Sequence, residues 1–203
     1  MKGWLYLKSS RELRHQTWEQ LRKSYWMVFL VTLIVSLVPT ATSVAIIGLL
    51  LVGPFAVGQA IYLIDMIETG SDGKKLELVI DGFKRSFVNS FIAILLTRIF
   101  TMLWSLLFII PGIIKAYAYS MTPYIIADNP EIDAMKAIEM SQEMMKGHKM
   151  ELFFLHLSFI GWYILTIFTF GIGMFFLMPY VQTSVANFYV ELRGKKTVTA
   201  ILD

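Results

Sequence analysis

The 203-residue chain contains no cysteine. That excludes a disulfide framework, a thiol nucleophile and a thiolate metal site. Charge is scarce too: Asp, Glu, Lys and Arg make up 16% of the residues, against about a quarter in soluble domains. The three histidines, His15, His148 and His156, show no metal-ligand spacing, and no H-E-x-x-H occurs. A phosphate-cradling G-x-x-x-x-G-K-[ST] loop and a G-x-S-x-G elbow are also missing. The acidic residues fall at no spacing that fixes a catalytic pair. The expectation is a protein without catalytic, metal or cofactor chemistry and, with a formal charge of only +3, without a nucleic-acid partner.

Apolar residues are what the chain has in quantity: 56% of the total, with a mean hydropathy of +0.62. They come in blocks about long enough to cross a hydrocarbon layer. The fold class expected is all-α: a polytopic membrane protein with six transmembrane helices and amphipathic helices on the cytoplasmic side. A single integral membrane domain would cover 1–203. It would comprise a cytoplasmic amphipathic segment (1–23), a six-helix bundle (24–192) and a cytoplasmic tail (193–203). The basic stretch before the apolar run 25–38 has the order of a secretory signal, but it is long for that role and reads as retained.

Along the chain, Ser10 is placed to cap a helix with Leu13, Thr17, Leu21 and Tyr25 on one face. That helix either lies in the membrane surface near lipid phosphates or is a solvated lead-in to the first span. Spans are expected at about 24–38, 44–67, 88–110, 113–127, 152–170 and 174–192. Between the second and third, Leu76, Val79, Ile80, Phe83 and Phe87 mark an amphipathic helix. Asp128-Asn129-Pro130-Glu131 is a helix-start signal. The helix after it places Ala134, Ala137, Ile138, Ser141 and Met145 opposite Lys136, Glu139, Glu143 and Lys146, and Gly147 is set to end it. Met135, Met140, Met144 and Met145 suggest an adaptable apolar surface. Structural hinges are expected at Pro54, Pro111, Gly112, Pro123, Pro130 and Pro179. Gly48, Gly53 and Gly58 around Pro54 suggest a kink and close helix contact.

Every lysine and arginine except Arg98 and Lys115 falls in the N-terminal segment, the loop at 74–85, the segment 136–149 or the tail. The turns at 39–43 and 170–173 carry no charge. The positive-inside bias then places both termini in the cytoplasm, in a cell membrane crossed several times. Three proline–aromatic pairs, Pro54-Phe55, Pro123-Tyr124 and Pro179-Tyr180, fall on successive returning helices and suggest three hairpins of related design. The implied partners are the bilayer, anionic lipid headgroups at the cytoplasmic face, and a membrane-protein partner or second copy.

Arg98, between Leu96-Thr97 and Ile99-Phe100, is the sharpest candidate for ligand binding. A charge at mid-span costs about 2.5–3.5 kcal/mol on the insertion scale and usually faces a bundle interior or polar cavity. It reads as a site for an anionic group such as phosphate, or as an arginine reaching inward to the membrane surface. Asp65 and His156 are its candidate partners. Lys115 reads as reaching to outer headgroups.

The motifs Ile110-Pro111-Gly112-Ile113-Ile114-Lys115-Ala116-Tyr117 and Ser120-Met121-Thr122-Pro123-Tyr124 through Asp128-Asn129-Pro130 continue in Met144-Met145-Lys146-Gly147-His148-Lys149, Leu157 to Trp162, Gly171-Ile172-Gly173 and Pro179-Tyr180. Over about 13–193 the chain resembles the bacterial integral membrane proteins grouped as domain of unknown function nine hundred and seventy-five. The resemblance implies a helical protein of the cytoplasmic membrane and carries over no catalytic residue. A fainter similarity is to the membrane domain attached to some glycerophosphodiester phosphodiesterases, which implies a lipid or envelope setting.

Overall fold

A computed structural model describes residues 9–41, 46–70, 77–169 and 171–202, and among these every regular element is an α-helix. The elements are α1 (Ser10–Ala41), α2 (Ile46–Thr69), α3 (Glu77–Leu107), α4 (Ile109–Tyr119), α5 (Thr122–Asp128), α6 (Ala134–Met144), α7 (Lys149–Leu157), α8 (Ile160–Phe168) and α9 (Ile172–Leu202). Among the described residues three stretches are long and apolar enough to cross a membrane: Leu51–Thr69, Glu77–Leu107 and Lys149–Phe168. Ser24–Val35 is a shorter apolar stretch.

The N-terminal helix and the first apolar run form one element rather than two. Helix α1 continues unbroken past Lys23 and through Pro39 to Ala41, so residues 39–41 of the expected turn at 39–43 are helical. Its cap is Ser9, one residue earlier than the pattern suggests. Ser9 and Glu12 exchange bonds, Ser9 N donating to Glu12 Oε2 at 2.9 Å and Glu12 N to Ser9 Oγ at 3.3 Å, which satisfies two donors that a helix start leaves open. The rest of the turn expected at 39–43 and most of the polar loop expected at 70–75 fall at 42–45 and 71–76, outside the described residues.

Helices α2 and α3 make the tightest contact. A Cβ on Gly58 would stand 2.0 Å from the Val79 carbonyl oxygen, and one on Gly82 would stand 2.4 Å from that of Pro54. One on Gly53 would meet the Ser90 carbonyl oxygen at 2.5 Å. Backbone lies against backbone here, as small residues allow between apolar helices. The amphipathic helix and the span expected near 76–87 and 88–110 are both present, joined within α3 at a kink. Ser86 leaves helical geometry there (φ −147°, ψ 33°).

The break after α3 falls at Phe108, which is extended (φ −156°, ψ 136°). Pro111 and Gly112 lie in the first turn of α4 and are not themselves the hinge. Proline is tolerated there because its missing N–H would have had no helical partner. Gly112 is needed for packing: a Cβ would stand 2.6 Å from Ser105 Cα across the α3–α4 hairpin. The expected single span 113–127 is divided. Helix α4 ends at Tyr119, and α5 begins at Thr122 with Pro123 in its first turn.

The start of α6 is also displaced. Asp133 caps it, its carboxylate accepting from Met135 N at 2.9 Å and Lys136 N at 3.3 Å. Pro130 sits in the turn before it, where Ile132 N donates to Asn129 O at 3.1 Å. The apolar face read from the sequence is the buried one: Ala134, Ala137, Ile138, Ser141 and Met145 are all inside. The methionines divide, with Met144 and Met145 buried and Met135 and Met140 exposed. Gly147 (φ 79°) and Gly171 (φ 85°) take left-handed conformations at the turns before α7 and α9, which glycine adopts without steric cost. Pro54 and Pro179 lie inside α2 and α9.

The core gathers side chains from α1, α2, α5, α6, α7 and α9, among them Tyr62, Met121, Ile125, Phe159, Phe188 and Tyr189. Helix α9 packs on α1 and α2, and α5 packs on α2. The outer faces of α3, α4 and α8 expose large apolar residues, including Leu106, Ile109, Ile110, Ile167 and Phe168.

Gly58→Ala is expected to lower thermal stability in detergent by about 1–3 kcal/mol, because backbone must move to admit the methyl group. Gly161→Ala, with nothing within 4 Å of the added Cβ, should be neutral or stabilising by up to about 1 kcal/mol. Unfolding curves of the two variants measure the difference, and equal effects would contradict the packing described.

Candidate functional site

Arg98 lies on α3 in the post-kink segment that runs to Leu107. The close approach at Gly112 sets α4 beside that segment and leaves an open groove between them of about 430 Å³. It is lined by Thr97, Arg98, Thr101, Met102, Ser105, Ala116 and Tyr119. Arg98 is exposed in the groove and takes part in no ion pair or hydrogen bond among the described residues. The lining contains no carboxylate, so the groove is positive.

Lys115 stands beside it, half-buried. Its Nζ donates to Gln142 Oε1 on α6 at 3.3 Å and lies 5.2 Å from the Trp104 ring centre and 5.8 Å from that of Tyr119. Two aromatic faces and an amide oxygen hold the ammonium group, an arrangement that offsets the loss of water. Tyr119 thus borders both the groove and the Lys115 ammonium.

Neither candidate partner of Arg98 lines the groove. Asp65 is half-buried near the end of α2, and its backbone carbonyl accepts from Thr69 Oγ1 at 2.6 Å. His156 is half-buried on α7, its Nδ1 2.9 Å from Leu152 O and its ring 5.7 Å from that of Tyr117. Their spacing in sequence carries no information about α3, because each belongs to a different helix.

Two polar arrangements were not legible in the sequence. The first is at the α4–α5 break. The Ser141 hydroxyl donates to Ala118 O at 2.8 Å and accepts from Met121 N at 3.2 Å. One fully buried side chain on α6 therefore satisfies both backbone groups freed by the break. The second joins three helices. Asp128 at the end of α5 accepts from Tyr189 Oη at 2.6 Å and Arg193 Nη1 at 2.7 Å, while Arg193 Nη2 pairs with Glu68 on α2. Tyr124 stacks on Tyr189 with ring centres 5.3 Å apart. Burial pushes the Asp128 carboxyl above its ordinary range, and the Tyr189 hydroxyl pulls it back. Asp128 reads as a helix cap in sequence because Asn-Pro follows it; its real partners are 61 and 65 residues away.

The helix interfaces hold further polar contacts. Asn187 Nδ2 donates to Gln20 Oε1 at 2.8 Å and to Thr17 Oγ1 at 3.3 Å, and Ser184 Oγ meets Thr17 Oγ1 at 3.3 Å. Gln59 bonds both Thr32, at 3.2 Å, and Gln182. Among the described residues no three His, Asp or Glu side chains converge to hold a metal ion.

A double-mutant cycle of Asp128→Asn with Arg193→Gln should give a coupling of about 0.5–3 kcal/mol in unfolding experiments. The more exposed Glu68→Gln with Arg193→Gln should give about 1 kcal/mol or less. Ser141→Ala, which leaves two backbone groups unmatched, should cost about 1–3 kcal/mol.

Neither a curated protein nor a solved structure matches the chain. A family model described as Protein of unknown function (DUF975) matches residues 106–196. The matched segment begins at the end of α3 and includes α4 to α8 and most of α9, with the Ile110 to Tyr117 and Ser120 to Pro130 motifs inside it. It is narrower than the resemblance from residue 13 onward. Residues 106–196 are thus similar to the domain of unknown function DUF975.

Proposed function

We propose that the chain is a polytopic protein of the bacterial cytoplasmic membrane, with six crossings and both termini cytoplasmic, acting as a non-catalytic accessory or scaffold for another envelope protein. The observation that carries this reading is the division of surface from interior. Large apolar side chains face outward along α3, α4 and α8, while Thr17, Gln59, Gln182, Ser184 and Asn187 are engaged with one another or with Gln20 and Thr32 between helices. Such a molecule places its polar groups in helix association and its apolar groups against lipid or a partner. The related hairpins belong to the same reading. Helix α2, which carries Pro54, packs against α5, which carries Pro123, and against α9, which carries Pro179.

The Arg98 groove favours a second reading, a small transporter or lipid-handling protein with an anionic-group site there. That role calls for a proline-bearing returning helix beside Arg98. The returning-helix prolines are Pro54, Pro123 and Pro179, and none of them lines the groove, whose other wall is α4.

A cysteine introduced at Thr42 or Gly171 should react with an impermeant thiol reagent added outside intact cells, and one at Lys75 should react only after permeabilisation. The reverse pattern would overturn the threading. Mild extraction is expected to yield a second membrane protein in stoichiometric amount; a lone monomer with a solvated central cavity counts against the scaffold.

A further inference from the structure

We propose that the α3–α4 groove binds the phosphodiester headgroup of a membrane phospholipid, with Arg98 pairing the phosphate. The proposal rests on the reading of Arg98 as an anionic-group site and names its ligand.

The first argument is charge. Arg98 stands about 16 Å along the helix from Phe87 and about 14 Å from Leu107, near the middle of the post-kink segment of α3. An arginine at that depth requires a counter-charge or water. No carboxylate lines the groove, and every ion pair among the described residues is made by other groups. Its counter-charge or water therefore comes from outside the described residues.

The second is donor chemistry. The Thr97 hydroxyl is committed to Ile94 O at 2.9 Å. Those of Thr101, Ser105 and Tyr119 make no hydrogen bond among the described residues, so their protons remain to be donated. A guanidinium fork with three hydroxyl donors suits an anion with several acceptor oxygens, and arginine matches phosphate through two parallel bonds. The Lys115 ammonium beside the Tyr119 ring adds positive potential.

The third is access. Around the groove the exposed neighbours are Ile99, Met102, Leu103 and Leu106, with Met102 71% and Leu106 82% exposed. A site bordered this way opens toward acyl chains rather than water. Its occupant arrives through the lipid phase, which selects an amphiphile with an anionic head over a free ion. The volume of about 430 Å³ is within the range of small-ligand sites, about 300–1,000 Å³.

The test titrates the whole chain in detergent micelles, free of added phosphate, by native mass spectrometry. The probes are dioleoylphosphatidylglycerol, dioleoylglycerol (the same tails without phosphate) and inorganic phosphate. Wild type should bind the phospholipid in preference to the diacylglycerol. Arg98→Gln should weaken that binding about tenfold or more, as loss of a charge-assisted contact implies. Thr101→Val, which keeps the side-chain shape and removes one donor, should weaken it about threefold to tenfold. A circular-dichroism melt reports whether each variant folds, and Thr101→Val decides the question if Arg98→Gln does not. Equal binding of the two lipids, or phospholipid binding unchanged in the folded variants, overturns the proposal. Arg98-dependent binding of inorganic phosphate without preference for the phospholipid removes the headgroup and leaves the anionic site. If neither phospholipid nor phosphate binds in an Arg98-dependent way, both fall.

Discussion

The hydroxyl of Ser141 holds the centre of the structure together. In a buried position a broken helix leaves carbonyl and N–H groups that water cannot satisfy. The chain breaks at Ser120-Met121, just before Pro123. Ser141 gives its proton to Ala118 O and its lone pair to Met121 N. That pairing fixes α6 against α4 and α5 and brings Gln142 to Lys115. It also sets where α5 begins, and so where Asp128 at its far end meets Tyr189 and Arg193. A half-satisfied version of the same break would cost more than an unbroken helix. The proline and the serine are therefore one device, separated by 18 positions in the chain.

The same rule governs the remaining interior. Buried Thr17, Gln59, Ser184 and Asn187 bond across helix boundaries. Where side chains are absent, at Gly53, Gly58 and Gly82, the backbones of α2 and α3 approach directly. Polar bonds and glycine contacts fix helix positions that apolar packing alone would leave free, because burial of apolar surface has no direction. Arg98 departs from the pattern: a charged group on an otherwise apolar segment, facing a groove and not another helix. Groups that contribute nothing to the fold's own bonding are where a ligand has room to act.

Much of the local structure was legible from residue patterns. Spacing in α6 separates the buried Ala134, Ala137, Ile138, Ser141 and Met145 from the charged face. Gly147 and Gly171 mark turns that need positive φ. The glycines near Pro54 announce the α2–α3 contact. Boundaries were less legible where two local signals compete. Pro111-Gly112 resembles a helix stop, yet proline is equally at home in a first turn, and the stop is Phe108. Asp128 resembles a cap, yet Asp133 performs that role.

What the sequence by itself determined is the helical class, the apolar surfaces and the faces of individual helices. These follow from composition and from a repeat of 3.6 residues, both properties of a chain segment alone. Only the tertiary structure decided which polar groups meet. Arg98 was legible as an exceptional charge with Thr101 and Ser105 on its face of α3, but its separation from Asp65 and His156 and its approach to Tyr119 on α4 were not. The links from Asp128 to Tyr189 and Arg193 bridge 61 and 65 residues. No local periodicity encodes such distances, because they depend on how whole helices cross, and that is settled by close contacts such as Gly58 on Val79 and Ser141 on Ala118.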